Sequence, residues 1–423
     1  MKIGIQAWGS AGDVRPLLAL GGELAARGHS VTLAVTPVDN RDYAVLANNL
    51  GVELRMLRSP FPTRAGLAAV APAVMGRGLQ VRQFMASLEL MLFSMERDMT
   101  DAALRLAREN DVLIGHTLAY PLNAAAAKFS KPYITQALSA LAVPSGEYPP
   151  DHLYPLAFLK NSRLNRAAWR FTDLTAGLLF LRRMNRLRAE LGVAPVKSFL
   201  DEGVASPLLN LISASVALCP PRPDWAGRNE VCGFFEVPAA RTDLPQEPGI
   251  SEFIASGSPP VFMGFGSMSD FDPEPAALET LFETAARLAG TRAIIQLPGR
   301  PTEARGAVLV TGSAEHRAIL PRCSAIVHHG GAGTTHTALL CGTPQIIVSH
   351  LADQPYWGRI ISAHGLGPAH LARAGLTAPE LARRIKLVLP DDGYKRRAQA
   401  AARFVKTEHG TALAADLIER TCG

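Results

Sequence analysis

A strand–turn–helix–strand order opens the chain and constrains its fold more than any other feature. Residues 2–8 form a short apolar run that ends at Gly9, and a helical pattern follows over 13–26. Gly28 closes that pattern where a residue free to take positive φ is wanted, and a second apolar run begins at once over 31–36. Because strands joined through a helix run parallel in one sheet, this order predicts a parallel sheet with helices on both faces.

The same alternation continues through the first half of the chain and starts again in the second half. Apolar runs of buried-strand type follow at 52–57, 112–116 and 133–138. In the second half the pattern predicts strands at 261–265, 292–297, 308–311, 325–328 and 345–349 and helices at 274–289, 333–341 and 355–364. We therefore predict an α/β fold class with two doubly wound domains and a cleft between them.

The domain boundaries are predicted from a polar, proline-bearing stretch of the kind that forms linkers. It places an N-terminal domain at 1–237, a linker at 238–248 and a C-terminal domain at 249–405. A final helical pattern covers about 394–420, and the segment 406–423 is predicted to pack back on the N-terminal domain.

Composition excludes several classes of protein. Of the 423 residues, 48% are apolar and 19% are charged, so the chain is neither disordered nor highly charged. The net charge of +6 suits anionic small substrates and falls short of the basic stripes of a nucleic-acid-binding protein. Five cysteines without a C-x-x-C pair favour a reducing compartment, and the opening run is too short for a signal peptide. We expect a cytoplasmic protein.

Two long helical stretches interrupt the alternation. Residues 62–108 carry five methionines, which suit a pliable apolar pocket, although plain core filling would look the same. Residues 155–192 are rich in arginine, with seven arginines and one acid between Arg163 and Arg188. A solvated helix face is the common explanation for such a stretch, and weak peripheral contact with a membrane is the alternative.

The run His-His-Gly-Gly-Ala-Gly-Thr-Thr at 328–335 lies between a predicted strand and a predicted helix. Its glycines let the backbone approach a ligand, and free N–H groups at a helix N-terminus favour a phosphate. A plain strand-to-helix turn with capping threonines would show the same pattern. Asp353-Gln354-Pro355 follows the next strand at its carboxyl end, where it would either bind sugar hydroxyls or cap a helix.

These runs resemble motifs of the UDP/TDP-sugar glycosyltransferases, a family of antibiotic and macrolide glycosyltransferases, bacterial rhamnosyltransferases and sterol glucosyltransferases. The runs Gly-Ser-Ala-Gly-Asp-Val-Arg-Pro at 9–16 and Phe-Gly-Ser-Met at 265–268 are similar to further motifs of that family. The resemblance implies a GT-B fold, in which two Rossmann-like domains face a central cleft. It implies an inverting, metal-independent enzyme without a cofactor, which moves a hexose or deoxyhexose from a nucleotide sugar to a hydroxyl of a small lipophilic acceptor.

The resemblance also implies roles for individual residues. His329 should contact the donor diphosphate, Asp353 and Gln354 should bind sugar hydroxyls, and Leu297 and Ile319 should line the nucleobase slot. The full set implied for the donor is Ser10, Gly12, Gly266, Ser267, Leu297, Ile319, His329, Gly331, Gly333, Thr334, Asp353 and Gln354. Asp270 and Asp272 form a D-x-D pair, for which helix capping is favoured over metal binding, so we predict no metal site.

Asp13 occupies the position of the family's catalytic base. An acceptor hydroxyl that attacks an anomeric carbon must lose a proton, and a carboxylate is a suitable general base. From spacing alone, a helix N-cap is the better interpretation of Asp13, and the resemblance is what favours the general base. Plant members of the family have a histidine at this position, so the aspartate places the chain nearer the bacterial branch. His116, Met85 and Met91 are predicted to line the acceptor pocket, although a strand-end histidine is more often structural.

Two other functions compete with sugar transfer. A catalytically silent homologue would act as a binding or activating partner of another enzyme, and a sugar-nucleotide epimerase would share the fold. The chain keeps Asp13, His329 and the Asp353-Gln354 pair, which disfavours the silent homologue. The predicted partners are a nucleotide sugar and a sterol, polyketide, phenolic, carotenoid or lipid acceptor, with no nucleic acid. The sequence leaves the nucleobase, the sugar, the acceptor and the oligomeric state open.

Overall fold

A parallel sheet forms the centre of the first part of the chain. Its strands are β1 (Lys2–Gly9), β2 (Ser30–Pro37), β3 (Glu53–Met56), β4 (Val112–His116), β5 (Tyr133–Ala137), β6 (Leu209–Ile212) and β7 (Asn229–Val231). In the computed structural model they pair in parallel in the order β3-β2-β1-β4-β5-β6-β7. The order reverses between β1 and β4. Open α/β sheets bind ligands beside the carboxyl ends of the strands at such a switch point.

A second sheet repeats this plan. Its strands are β8 (Val261–Met263), β9 (Ala293–Gln296), β10 (Glu303–Arg305), β11 (Val308–Thr311), β12 (Ala325–His328), β13 (Gln345–Ser349) and β14 (Leu371–Ala372). The order is β10-β11-β9-β8-β12-β13-β14, and β10 pairs antiparallel with β11. The switch point lies between β8 and β12. The predicted α/β fold class with two doubly wound sheets is confirmed.

Helices connect the strands, as parallel pairing requires. They are α1 (Ala11–Ala26), α2 (Ala44–Leu50), α3 (Gln80–Met91), α4 (Glu96–Glu109), α5 (Tyr120–Phe129), α6 (Ser162–Glu190), α7 (Pro248–Ala255), α8 (Pro275–Ala289), α9 (His316–Ile319), α10 (Ala332–Leu340), α11 (Gln354–Ala363), α12 (Ala378–Val388), α13 (Asp392–Val405) and α14 (Gly410–Cys422). None of these described helices combines the length and the apolar character needed to cross a membrane.

The chain forms two compact units, of which the first contains Met1–Pro60, Met91–Thr242 and Glu408–Gly423 and the second contains Phe61–Leu90 and Asp243–Thr407. The structure describes residues 1–39, 41–61, 63, 66, 69, 80–151, 153, 161–238, 248–272 and 275–423. Most of the predicted linker at 238–248 and part of the predicted helical stretch at 62–108 lie outside the described residues. The predicted domain boundaries therefore stay predictions.

The final helix predicted over 394–420 is wrong, because the chain breaks it into α13 and α14. Between them, Glu408 turns inward and accepts hydrogen bonds from the Ser215 hydroxyl at 3.0 Å and the Val216 N–H at 2.8 Å. A Cβ added to Gly410 would lie 2.7 Å from the Phe234 carbonyl oxygen, so glycine allows this close approach. Helix α14 then contributes Ala414, Ala415 and Ile418 to the core of the first sheet.

Arg27, at the end of α1, holds α14 in place. Its guanidinium donates to Asp416 at 2.5 Å, to Glu419 at 3.0 Å and to the Ala412 carbonyl at 3.0 Å. We expect Arg27→Gln to lower the free energy of unfolding by about 1–2 kcal/mol, because the charge-assisted bonds are lost from a partly exposed site. Urea unfolding monitored by circular dichroism measures this change. Arg420 is an exposed arginine on α14, and Arg420→Gln serves as the control. An equal loss of unfolding free energy in this variant would contradict the prediction.

Candidate functional site

Asp13 and His116 meet at the switch point of the first sheet. Asp13 lies in the first turn of α1, directly after β1, and His116 is the last residue of β4. The Asp13 Oδ1 atom is 3.6 Å from the His116 Nε2 atom, and the Asp13 side chain keeps 25% of its exposure. The sequence predicted both residues, and the fold brings them together because the carboxyl ends of β1 and β4 are adjacent.

Asp13 caps the start of α1 and still keeps part of its carboxylate exposed. The Ser10 N–H donates to Asp13 Oδ2 at 2.8 Å and the Ser10 hydroxyl donates to the same oxygen at 3.1 Å. These bonds form a capping box that fixes the side chain. A second carboxylate, that of the buried Asp39, accepts from the Ala11 N–H at 2.9 Å. Two carboxyl groups therefore already occupy this helix N-terminus, which also contains Gly12.

The protonation of His116 follows from its surroundings. The Leu118 N–H donates to His116 Nδ1 at 3.3 Å, so the ring proton sits on Nε2 and faces Asp13. Burial lowers the pKa of His116 to about 4. At neutral pH the imidazole is therefore uncharged, and neither of its nitrogens is available to take a proton from a hydroxyl beside Asp13.

Trp8 extends this group of side chains and was not predicted from the sequence. Its ring centroid is 6.3 Å from that of His116, and its indole N–H donates to the Met91 carbonyl at 2.9 Å. Trp8 keeps partial exposure at the end of β1, and the same strand-end rule that selected Asp13 would have found it. Met91 is thus beside Trp8, whereas Met85 belongs to the second compact unit and its role stays a prediction.

His329 lies at the switch point of the second sheet, directly after β12. A Cβ added to Gly331 would lie 2.3 Å from its Nε2 atom, and one added to Gly266 would lie 3.3 Å from its Cε1 atom. Only glycine at 331 leaves room for the imidazole in this position. The fold therefore groups His329 with the predicted Gly266, which follows β8 and precedes Ser267.

His329 precedes a helix whose first N–H groups are not used by the helix itself. The first helical hydrogen bond of α10 runs from the Thr335 N–H to the Gly331 carbonyl, so the N–H groups of the first turn, including those of Gly333 and Thr334, have no partner within the helix. Within the described part of the chain, the buried His329 Nδ1 has no hydrogen-bond partner. Burial lowers the pKa of His329 to about 4, so the ring is neutral.

The neighbouring His328 is structural by contrast. Its Nδ1 accepts from the Gly330 N–H at 3.2 Å and its Nε2 lies 3.0 Å from Gln345 Oε1, so both nitrogens are used.

The sequence did not single out His350, which follows β13. Its Nδ1 donates to the Val348 carbonyl at 3.0 Å, and its buried Nε2 has no hydrogen-bond partner among the described residues.

Asp353 and Gln354 begin α11 at the carboxyl end of β13, as predicted. Gln354 Oε1 accepts from the His350 N–H at 2.7 Å and the Leu351 N–H at 3.2 Å, which orients its amide. Asp353 Oδ2 accepts from the Trp357 indole N–H at 2.9 Å. Although Asp353 keeps partial exposure, its low-dielectric surroundings raise the pKa of its carboxyl to about 6. Ala352 before it has a φ of 56°, a strained value for alanine.

The remaining predicted residues lie on neighbouring elements of the second unit. Leu297 follows β9 and Ile319 ends α9, and both side chains are buried. The His316 ring on α9 is 3.0 Å from the Gln296 amide oxygen, so the two elements are joined. Asp272 of the D-x-D pair accepts from Arg373 at 2.7 Å, which neutralises its charge.

Comparisons with known proteins agree with this architecture. The family model described as "Erythromycin biosynthesis protein CIII-like, C-terminal domain" matches residues 306–418. A sterol 3-beta-glucosyltransferase of Arabidopsis thaliana is 31% identical over 438 residues, covering 99% of this chain and 68% of the relative. Glycosyltransferase GtfE of Amycolatopsis orientalis is 30% identical over 431 residues, covering 100% of this chain and 98% of the relative.

A solved structure supports the fold independently. The spinosyn rhamnosyltransferase SpnG in complex with thymidine diphosphate matches with a TM-score of 0.62 at 17% identity, covering 99% of this chain and 100% of that chain. The two doubly wound units and this structural likeness together show a GT-B fold. The chain belongs to the glycosyltransferase family that includes the sterol glucosyltransferases and the antibiotic glycosyltransferases.

Proposed function

We propose that the chain transfers a hexose or deoxyhexose from a TDP- or UDP-sugar to a hydroxyl of a small lipophilic acceptor, with inversion at the anomeric carbon. The observation that carries the proposal is the unpartnered nitrogen of His329 next to a helix N-terminus. The buried imidazole lies beside the first turn of α10, whose N–H groups have no partner within the helix. This is the donor set that a diphosphate requires.

The leaving group is stabilised in this proposal by His329 and the helix N-terminus. Negative charge develops on the diphosphate as its bond to the sugar breaks, and fixed N–H dipoles in a buried site stabilise it without reorganisation. We assign this role to His329 and to the backbone of Gly331, Gly333 and Thr334, with no metal ion taking part. Ser10 and Gly12 are left out of this set, because Asp13 and Asp39 already occupy their helix N-terminus.

The acceptor proton goes to Asp13. As the acceptor oxygen bonds to the anomeric carbon, the bond to the diphosphate breaks on the opposite face and the hydroxyl proton moves to the carboxylate. His116 cannot take this proton, since its Nδ1 accepts from Leu118 and its Nε2 already carries a hydrogen. His116 instead acts as a positioning residue that faces Asp13 Oδ1.

Other residues are proposed to bind the sugar and the acceptor. Asp353 and the amide of Gln354, fixed by backbone N–H groups, would bind sugar hydroxyls. The neighbouring rings of Trp8 and His116 offer a partly apolar wall near Asp13, which suits a lipophilic acceptor. The similarity to a sterol glucosyltransferase supports this acceptor class. A cytoplasmic location is part of the proposal and fits five cysteines that form no disulfide.

Calorimetric titration with UDP, TDP and ADP, without added metal, tests the donor site. We expect UDP or TDP to bind and His329→Ala to weaken the binding by about 10- to 100-fold, because a hydrogen bond to a charged group is lost. His364 is an exposed histidine directly after α11, and His364→Ala is the matched control that should leave the affinity unchanged.

Folding of each variant is checked by its thermal melting curve, so that loss of binding is separated from loss of structure. If the native protein binds none of the three nucleotides, the transferase proposal is overturned and the silent homologue becomes the better interpretation. If His329→Ala and His364→Ala bind equally well, the nucleotide binds elsewhere.

A further inference from the structure

Helix α6 exposes a row of large apolar side chains to solvent. The α6 stripe consists of Leu164, Phe171, Leu174, Leu178 and Leu179, each more than half exposed, with Leu178 at 77%. Positions 164, 171, 174 and 178 are spaced so that they fall on one face of a helix. Five such residues on one described helix far exceed the scattered exposed leucines of an ordinary surface.

Arginines flank this stripe and make the exposed face cationic. Arg163, Arg166, Arg170 and Arg182 are exposed, and no ion pair within the described residues involves them. The acids of α6 do not offset them. Asp173 accepts from the Ser198 hydroxyl and the Leu200 N–H, and Glu190 at the helix end lies 3.9 Å from Arg186.

The opposite face of α6 attaches the helix to the first unit. The Trp169 indole N–H donates to the Tyr148 carbonyl at 2.9 Å. Arg183 donates to Glu96 at 2.6 Å and lies 4.2 Å from the centre of the Phe93 ring. The residues of the α6 stripe take no part in these contacts.

We propose that the α6 stripe docks on an anionic lipid surface. A helix with an apolar face between arginines lies in the plane of the membrane interface, with its leucines among the acyl chains and its arginines at the phosphates. A second copy of the chain is a poorer partner. A two-fold pairing of this face would bring arginine against arginine, and α6 offers only Glu190 as an exposed acid. The proposal does not depend on the donor site.

Flotation of the full chain with lipid vesicles tests the proposal. We expect the native protein to float with phosphatidylcholine vesicles that contain phosphatidylglycerol and to stay behind with pure phosphatidylcholine. Phe171→Ser with Leu178→Ser should abolish flotation. Arg163→Gln with Arg170→Gln and Arg182→Gln should lower the partition coefficient by about a hundredfold, since each arginine near an anionic surface contributes about a factor of five. High salt should weaken native binding as well.

A matched control removes exposed apolar side chains elsewhere. Leu387→Ser with Phe404→Ser, on α12 and α13, should float like the native protein. Nucleotide binding by every variant reports separately on the donor site. Equal flotation with both vesicle types, or equal loss in the control, overturns the proposal. A native dimer in light scattering that Phe171→Ser with Leu178→Ser converts to a monomer, without vesicle binding, assigns the stripe to self-association instead.

Discussion

Replacing Asp13 by asparagine is expected to lower the rate of sugar transfer by a factor of about 10²–10⁴, the contribution typical of a general base. Asparagine keeps an oxygen that can accept from the Ser10 N–H, so the start of α1 should stay intact. The proton of the acceptor hydroxyl, however, loses its carboxylate. Initial rates at saturating donor, with the product quantified by mass spectrometry, measure the effect.

Nucleotide affinity distinguishes a lost base from a damaged protein. Asp13→Asn should bind TDP or UDP as tightly as the native protein, because the proposed diphosphate contacts come from other residues. Asp111→Asn is the matched control. That exposed carboxylate also accepts a backbone N–H, from Lys2 at 2.8 Å, and its change should leave the rate unaltered. A rate of Asp13→Asn within a few-fold of native would remove Asp13 from the mechanism.

Asp353→Asn is expected to stabilise the protein at pH 8 while it weakens binding of the nucleotide sugar. Low-dielectric surroundings raise the pKa of the Asp353 carboxyl from 3.8 to about 6. Between these values the folded protein holds a proton that the unfolded chain releases, so stability falls as pH rises through this window. Above pH 6 the ionised carboxylate costs about 1–2 kcal/mol, allowing for its partial exposure.

The asparagine variant removes that cost and keeps an acceptor for the Trp357 indole N–H. Its gain in unfolding free energy should therefore be present at pH 8 and absent at pH 4, as measured by urea titration. Affinity for the nucleotide sugar should fall about tenfold, the effect of one hydrogen bond to a charged group, and affinity for the nucleotide alone should stay constant. A gain that is equal at both pH values would show that burial of the charge is not its source.

Most strands that the sequence predicted have nearly continuous apolar runs, such as β1, β4 and β12, although the buried β6 (Leu-Asn-Leu-Ile) was missed. Strands β7 (Asn-Glu-Val) and β10 (Glu-Ala-Arg) lie at or next to the edges of their sheets and carry polar residues, so no apolar run marks them. The break between α13 and α14 could not be predicted from the sequence either. It depends on Glu408 bonding to Ser215, a partner nearly two hundred residues away.

The residues of the candidate site divide in the same way, into features that a local sequence pattern reveals and features that depend on distant contacts. Asp13, His329 and Asp353 stand at strand ends, where a local pattern is enough to select them. The tautomer of His116 and the unpartnered nitrogen of His329 depend on which backbone N–H groups the fold brings near each ring. Trp8 and His350 occupy strand ends too, but each lies just outside the motifs that carried the resemblance.

The return of α14 to the first core has a consequence for how the protein is made. Its residues Ala414, Ala415 and Ile418 complete a core whose other members lie between Ile3 and Val237, and they follow the entire second unit in the chain. On the ribosome, the first unit is therefore synthesised early but waits for α14 before its core is closed. Until then, the part of the first core that α14 covers stays exposed.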